Sequence, residues 1–493
     1  MADTSIRQTV IRRAFIAAAM TLLSVFLPAQ AAADNLPSLG GNRGGDLTAA
    51  QEREIGQQFL QQARRQLTFV RDPEVLEYVR TLGQRVAAQT DFHAYPFHFY
   101  VIRDPSLNAF AVPGGHIFLH SGLIQTADSA AEVAGVLAHE VAHITQRHMA
   151  RQMAAGKQSQ LSSLLLVAAG ILAGMQGQGE AAEALVFGAG AYSQQEMLAY
   201  SRAHEHEADR LGIQYLAEAG FDPEGLPGFL QKLQDWAQLQ GASPAPFLST
   251  HPLTQARVSD ARNRAARMGR GGPTPLGEAT FGRIQARLRA LTAESPQQAY
   301  DHFQQRVSAH PDRAAARYGL ALAARRTGRS AEAVELLQEL IQNAPESVAY
   351  RRTLADVQLG DGQPAAAVAT LRAALERRPG DPGLRERLGE ALVAADRAAD
   401  GRRILLELTR DYSQRSSAFS ALAQAYSRLD RPIDAHRTEA EARWLAGQRT
   451  EALEQLRLAA RLAREQGDPR LGQIQARIRE LEPGGRLGPD NQS

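Results

Sequence analysis

The 493-residue sequence predicts a mainly α chain in two bodies: helices around a small β-sheet first, then a superhelix of paired helices. Three observations carry that expectation. A helical stretch with ligand-type side chains, Leu137-Ala138-His139-Glu140-Val141-Ala142-His143, follows a group of short strand-like runs. A Gly- and Pro-rich segment, Met268-Gly269-Arg270-Gly271-Gly272-Pro273-Thr274-Pro275, interrupts all periodicity. Beyond it, small and apolar residues recur at a fixed step. A chain of this length also exceeds one core of ordinary size.

The N-terminus has Arg7, Arg12 and Arg13, then an apolar run from Ala14 to Leu27, then small residues at Ala29-Gln30-Ala31-Ala32-Ala33. This order predicts a cleaved signal peptide over residues 1–33 and an exported chain beginning near Ala32 or Asp34. An uncleaved anchor is the other reading, but the run is short of the roughly 20 residues that span a bilayer.

Thr48 to Gln89 has helical periodicity. Phe97 to Ile102, Ala109 to Val112 and His116 to Leu119 read as short strands, the last two joined by a turn at Pro113-Gly114-Gly115. Ala131 to Met149 reads as one helix, and Glu205 to Ala219 as another that stops at Gly220. Between them Leu161 to Met175 is apolar. It is short for a span and contains Gly170 and Gly174, so it reads as a helix packed on the core, with a lid or a membrane contact as alternatives.

Past the linker, expected at residues 269–277, Pro311, Pro345 and Pro379 stand 34 residues apart. The same step links Gly328 to Gly362, Leu320 to Leu354 to Leu388, Ala333 to Ala367, and Leu337 to Leu371 to Leu405. A 34-residue helix-turn-helix unit with small contact residues and a closing proline is the tetratricopeptide repeat pattern. Three good units run from Ala314 to near Arg415, a degenerate one precedes them, and one or two follow. The repeat arm is expected over residues 278–483, with 484–493 a flexible tail. Stacked units form a concave face that takes extended or helical segments.

Fifty-five Lys and Arg against 53 acids give a net charge of +2, with no basic footprint for nucleic acid. The absence of cysteine excludes disulfides and thiolate metal sites, so any metal must be held by histidine and carboxylate.

On a helix His139 and His143 share one face, and Glu140 lies beside them, placed to activate water for a zinc hydrolase. Zinc needs a third protein ligand. Six residues past His143 stands Met149, not another histidine, and His148, five residues on, is expected to point away from the ligand face. The helix opening Ala203-His204-Glu205-His206-Glu207-Ala208-Asp209 is the other source. Glu205 and Asp209 share a face, which suits a carboxylate ligand backed by an aspartate one turn along; Glu207 is the competing ligand. His204 and His206 read as solvated helix-start residues, and His116 and His120 as structural or surface.

His139-Glu140-x-x-His143, Glu205-x-x-x-Asp209 and Thr250-His251-Pro252 with Arg257 together resemble the gluzincin peptidases that include HtpX and the CAAX prenyl proteases. The signal peptide and repeat tail make the chain most similar to the exported members that act on outer-membrane proteins. The resemblance implies a gluzincin-type metalloprotease domain over residues 34–268, one zinc held by His139, His143 and Glu205, and Glu140 as general base. It also implies that Asp209 holds a ligand imidazole, that the strand at Asn108 to Phe110 is an edge that pairs with substrate, and that His251 lies close to the site. His251 would be a fourth ligand, a gate, or a donor to the oxyanion. The implied protein is a periplasmic endopeptidase for misfolded or stalled outer-membrane proteins, its arm docking on their assembly machinery, with peripheral membrane contact possible. The rival reading is a repeat-based scaffold or chaperone with a silent or self-inhibited zinc site. Prenyl-protein processing fits poorly, because those enzymes span the membrane many times.

Overall fold

The computed structural model describes residues 47–155, 194–240, 247–248, 251–269, 271–272 and 275–482. The expected signal peptide, the apolar run Leu161 to Met175 and the tail 484–493 lie outside them. Among the described residues no helix is long and apolar enough to cross a membrane.

The stretch read as helical from Thr48 to Gln89 is two helices. α1 (Ala49–Gln66) starts in a capping box, with Gln51 N–H donating to Thr48 Oγ1 and Thr48 N–H to Gln51 Oε1. α2 (Pro73–Ala87) starts on Asp72, which accepts from Val75 N–H, and Pro73 supplies the fixed φ of a first turn. β1 (His98–Ile102), β2 (Ala109–Val112) and β3 (His116–His120) follow as expected. They order β1-β3-β2, with β1 parallel and β2 antiparallel to β3, so β2 is an edge strand. The β2–β3 turn depends on Gly115, whose φ is +87° and where a Cβ would meet Pro96 O at 2.1 Å.

The short α3 (Ser121–Thr126) leads to α4 (Ala130–Thr145), which is apolar nearly all round and is the core helix of the first body. It packs against α2, β2, β3 and two later helices, α6 (Gln194–Glu218) and α7 (Gly225–Gln240). The helix expected from Ala131 to Met149 is interrupted: Arg147 has a φ of +52°, and α5 (His148–Ala155) restarts in a new direction. Arg147 is held there by Glu52 of α1 at 3.0 Å. α6 begins at Gln194 rather than near Ala203, since nothing between them breaks a helix. It ends in a Schellman motif, with Phe221 N–H on Leu216 O and Gly220 N–H on Ala217 O. α8 (Gln255–Met268), capped by Thr254, completes this body.

The arm starts with α9 (Glu278–Thr292) and α10 (Pro296–Ala309). Four helix pairs then keep the 34-residue step: α11 (Ala314–Arg326) with α12 (Ser330–Asn343), α13 (Val348–Gly360) with α14 (Pro364–Arg377), α15 (Pro382–Ala394) with α16 (Ala398–Asp411), and α17 (Ser416–Arg428) with α18 (Pro432–Leu445). The fourth pair is thus as regular as the three read from sequence. α19 (Arg449–Glu465) and α20 (Leu471–Leu481) close the stack. α9 is the joint to the first body: Arg287 grips Asp72 through two 2.7 Å hydrogen bonds, Arg283 and Arg352 meet the buried Glu74, and Gln285 donates to Ile124 O at 3.0 Å.

Candidate metal centre

α4 presents His139 and His143 one turn apart, and α6 crosses it closely enough to bring Glu205 and Asp209 to the same place. Gly212 permits that approach. A Cβ there would lie 3.1 Å from His139 N and 3.2 Å from Ala138 C, so any side chain must push the two backbones apart. His251 comes from the turn before α8, and its ring stacks on Phe247 with centroids 4.5 Å apart.

Four donor groups converge: His139, His143, Glu205 and His251 each offer a ligand atom within 4.8 Å of all the others. His139 Nε2 lies 3.0 Å from His143 Nε2, 3.4 Å from Glu205 Oε2 and 3.3 Å from His251 Nδ1. Glu205 Oε1 lies 3.4 Å from His143 Nε2 and 3.0 Å from His251 Nδ1. A tetrahedral ion with bonds of about 2.0–2.1 Å sets its donors roughly 3.3 Å apart. The spacing and the donor chemistry therefore fit zinc, with Glu205 rather than Glu207 in the cluster.

Electrostatics give the same picture. Arg257, wholly buried, donates to Asp209 at 2.7 and 2.8 Å, pairs with Glu205 Oε2 at 2.8 Å and donates to Pro252 O at 2.7 Å. Burial would raise the carboxyl pKa of Glu205 and Asp209, but His251 and His143 around Glu205, and His139 and Arg257 around Asp209, hold both below the usual range. Burial would lower His139, yet Asp209 Oδ1 at 3.1 Å from its Nδ1, together with Glu205, pushes it up to about 10. Burial lowers His143 well below its ordinary value. Such a cluster calls for a cation among its nitrogens.

Glu140 adjoins these four. Both its oxygens are buried without a hydrogen-bond partner, and His251 Nε2 is 3.5 Å from Oε1. Burial raises its pKa, against the pull of the charges on His251 and His139. A buried carboxylate with lone pairs to spare can take a proton from a water at the cluster. β2, the edge strand, packs on α4 beside it.

Two expectations fail. His148 does not point away: the left-handed Arg147 turns the chain, and His148 Nδ1 lies 2.9 Å from His143 Nδ1. His204 is not solvated but buried, with its ring stacked on His148 at 4.2 Å and 13°. His206 is exposed, as expected. His116 and His120 are both buried and structural, bonded to Tyr100 and Ser106. Arg257 stood in the sequence only as part of a motif; its single signal was an arginine following the Thr-His-Pro turn.

Residues 73–265 match the model of Peptidase family M48, and residues 290–357 and 358–425 match that of the tetratricopeptide repeat. The beta-barrel assembly-enhancing protease of Yersinia pestis is 41% identical over 249 residues, 49% of this chain and 49% of the relative. That of Escherichia coli K12 is 38% identical over 262 residues, 52% of each. The mitochondrial metalloendopeptidase OMA1 of Schizosaccharomyces pombe is 32% identical over 182 residues, 37% of this chain and 50% of the relative. The chain spans about half the length of the curated relatives it matches.

Proposed function

We propose that this chain, a Peptidase family M48 domain followed by tetratricopeptide repeats, is an exported zinc endopeptidase of the periplasm that acts in the quality control and assembly of outer-membrane proteins. The observation that carries this reading is the convergence of His139, His143, Glu205 and His251 with Glu140 against them. The relatives named for beta-barrel assembly support the substrate class. In this reading residues 1–33 are removed on export, 34–268 do the chemistry, 269–277 link, and the arm at 278–483 selects misfolded or stalled barrel proteins and docks on the assembly machinery.

His139, His143 and Glu205 would hold the zinc. When bound, the ion supplies Lewis acidity to a scissile carbonyl and to a water. Glu140 takes the water proton and hands it to the leaving amine. The edge strand β2 pairs with an extended substrate backbone and sets its carbonyl at the cluster. Asp209, fixed by Arg257, orients His139. At rest His251 would offer the metal a further nitrogen, and its Nδ1 distances to Glu205 and His139 support that role over one as oxyanion donor. The same position favours the second reading, in which the arm works as a chaperone while the site is self-inhibited.

The test is metal content and digestion of a denatured outer-membrane barrel protein, wild type against Glu140→Gln. Retained zinc with lost cleavage supports the peptidase reading. Cleavage at the wild-type rate by Glu140→Gln removes it.

A further inference from the structure

We propose that His148, His204 and Glu207 form a positioning shell that fixes the tautomer and ring orientation of His143, and so sets how tightly this chain holds its metal. The proposal rests on the reading of His139, His143 and Glu205 as ligands, and it concerns the one histidine ligand on α4 that Asp209 does not reach.

His143 turns Nε2 to the cluster, so its Nδ1 must carry the proton if Nε2 is to offer a lone pair. The partner for that proton is His148 Nδ1, 2.9 Å away. On the far side of the same ring, His148 Nε2 lies 3.1 Å from Glu207 Oε2, which also accepts from Arg151 at 2.8 Å. A carboxylate at that distance requires Nε2–H, which leaves Nδ1 of a neutral ring as an acceptor. The chain of donors is therefore directional: His143 Nδ1–H to His148, then His148 Nε2–H to Glu207. The opposite assignment would put the His143 proton on Nε2, the atom facing Glu205 and His139, and that atom would not ligate.

Packing holds the ring in place. His148 is buried, and His204 lies flat against it from α6, one residue before the ligand Glu205. The left-handed Arg147 brings α5 back over α4 so that this contact exists at all. The two histidine ligands thus have different supports: His139 a carboxylate locked by arginine, His143 an imidazole locked by a carboxylate and a stacked ring. Outer partners of metal-bound histidine commonly contribute about 10–100-fold in metal affinity.

The experiment is zinc competition against a chromogenic chelator on the full chain, with the absorption spectrum of the cobalt(II)-substituted protein and the unfolding midpoint of the metal-free protein. His148→Ala is expected to weaken zinc roughly 10–100-fold and alter the cobalt bands while leaving the metal-free midpoint near that of wild type. His148→Asn keeps an acceptor at the Nδ1 position and should recover most of the affinity; Glu207→Ala should show a smaller loss. Wild-type affinity and an unchanged cobalt spectrum in His148→Ala overturn the proposal while the metal site stands. Failure of the wild-type chain to bind zinc would instead remove the ligand reading beneath it. Equal losses in His148→Ala and His148→Asn, with a lowered metal-free midpoint in both, would mean a packing role only and also overturn it.

Discussion

Arg257 donates to Asp209 through both faces of its fork, Nε to Oδ2 at 2.7 Å and Nη2 to Oδ1 at 2.8 Å, with both side chains buried. The pair neutralises an aspartate that lies 3.1 Å from a candidate ligand. Removing one partner of a buried pair strands the other charge, which costs about 3–5 kcal/mol. Arg257→Met should therefore lower unfolding stability by that order in the metal-free protein and weaken zinc as well. Arg257→Lys should rescue little, because a single ammonium cannot make the bidentate contact. Denaturant titration of the three proteins checks this; a loss below 1 kcal/mol in Arg257→Met would contradict it.

Gly212 is the second lever on the site. Gly212→Val inserts a branched side chain against the His139 backbone, an overpacking that costs about 1–3 kcal/mol. Because α6 carries Glu205, the displacement should also weaken zinc, and more than Gly212→Ala does. Equal zinc affinity across the series would show that the helices separate without moving Glu205.

Metal should stabilise the fold by an amount that grows with the logarithm of free zinc over its dissociation constant. At zinc a hundred times its dissociation constant, the expected gain is about 2.7 kcal/mol, lost on adding chelator. His139→Ala should unfold at the same midpoint with and without chelator. A chelator response in that variant would place the metal elsewhere.

His116 should contribute to acid sensitivity. Its ring is buried beside His98 and Arg64, with Nδ1 3.1 Å from the Tyr100 hydroxyl. Burial first, then those charges, lower its pKa from 6.5 to about 4. Between those values the unfolded chain binds the proton more tightly than the folded one, so stability is intact above pH 6.5 and falls as pH drops toward 4. The loss amounts to at most about 3 kcal/mol. His116→Gln keeps a partner for Tyr100 and should flatten the stability profile in that window; superimposable profiles would exclude the contribution.

Much of this was legible locally. The 34-residue step in Leu320, Leu354 and Leu388 matches helices that begin at Ala314, Val348 and Pro382, because a repeated unit repeats its buried face. The spacing of His139 and His143, and of Glu205 and Asp209, placed each pair on one helical face before any packing was known. Helix ends were legible where a glycine or proline acts on its own backbone, as at Gly220. His148 was misread because projecting a helix past Thr145 assumes the helix continues. Arg147 leaves it, held by Glu52 about a hundred positions upstream in the chain, as a contact between distant segments must decide.

By itself the sequence determined the element types, the repeat arm and the helical faces that carry His139 with His143 and Glu205 with Asp209, since period, capping and side-chain chemistry act within a turn or two of the residue that carries them. Only the tertiary structure decided that α6 approaches α4 through Gly212, that Arg257 neutralises Asp209, and that His148 and His204 stand behind His143. Those facts depend on contacts between residues far apart in the chain: a close steric fit at Gly212, ring packing and a hydrogen bond behind His143, and at Arg257 the cost of leaving a buried charge unpaired.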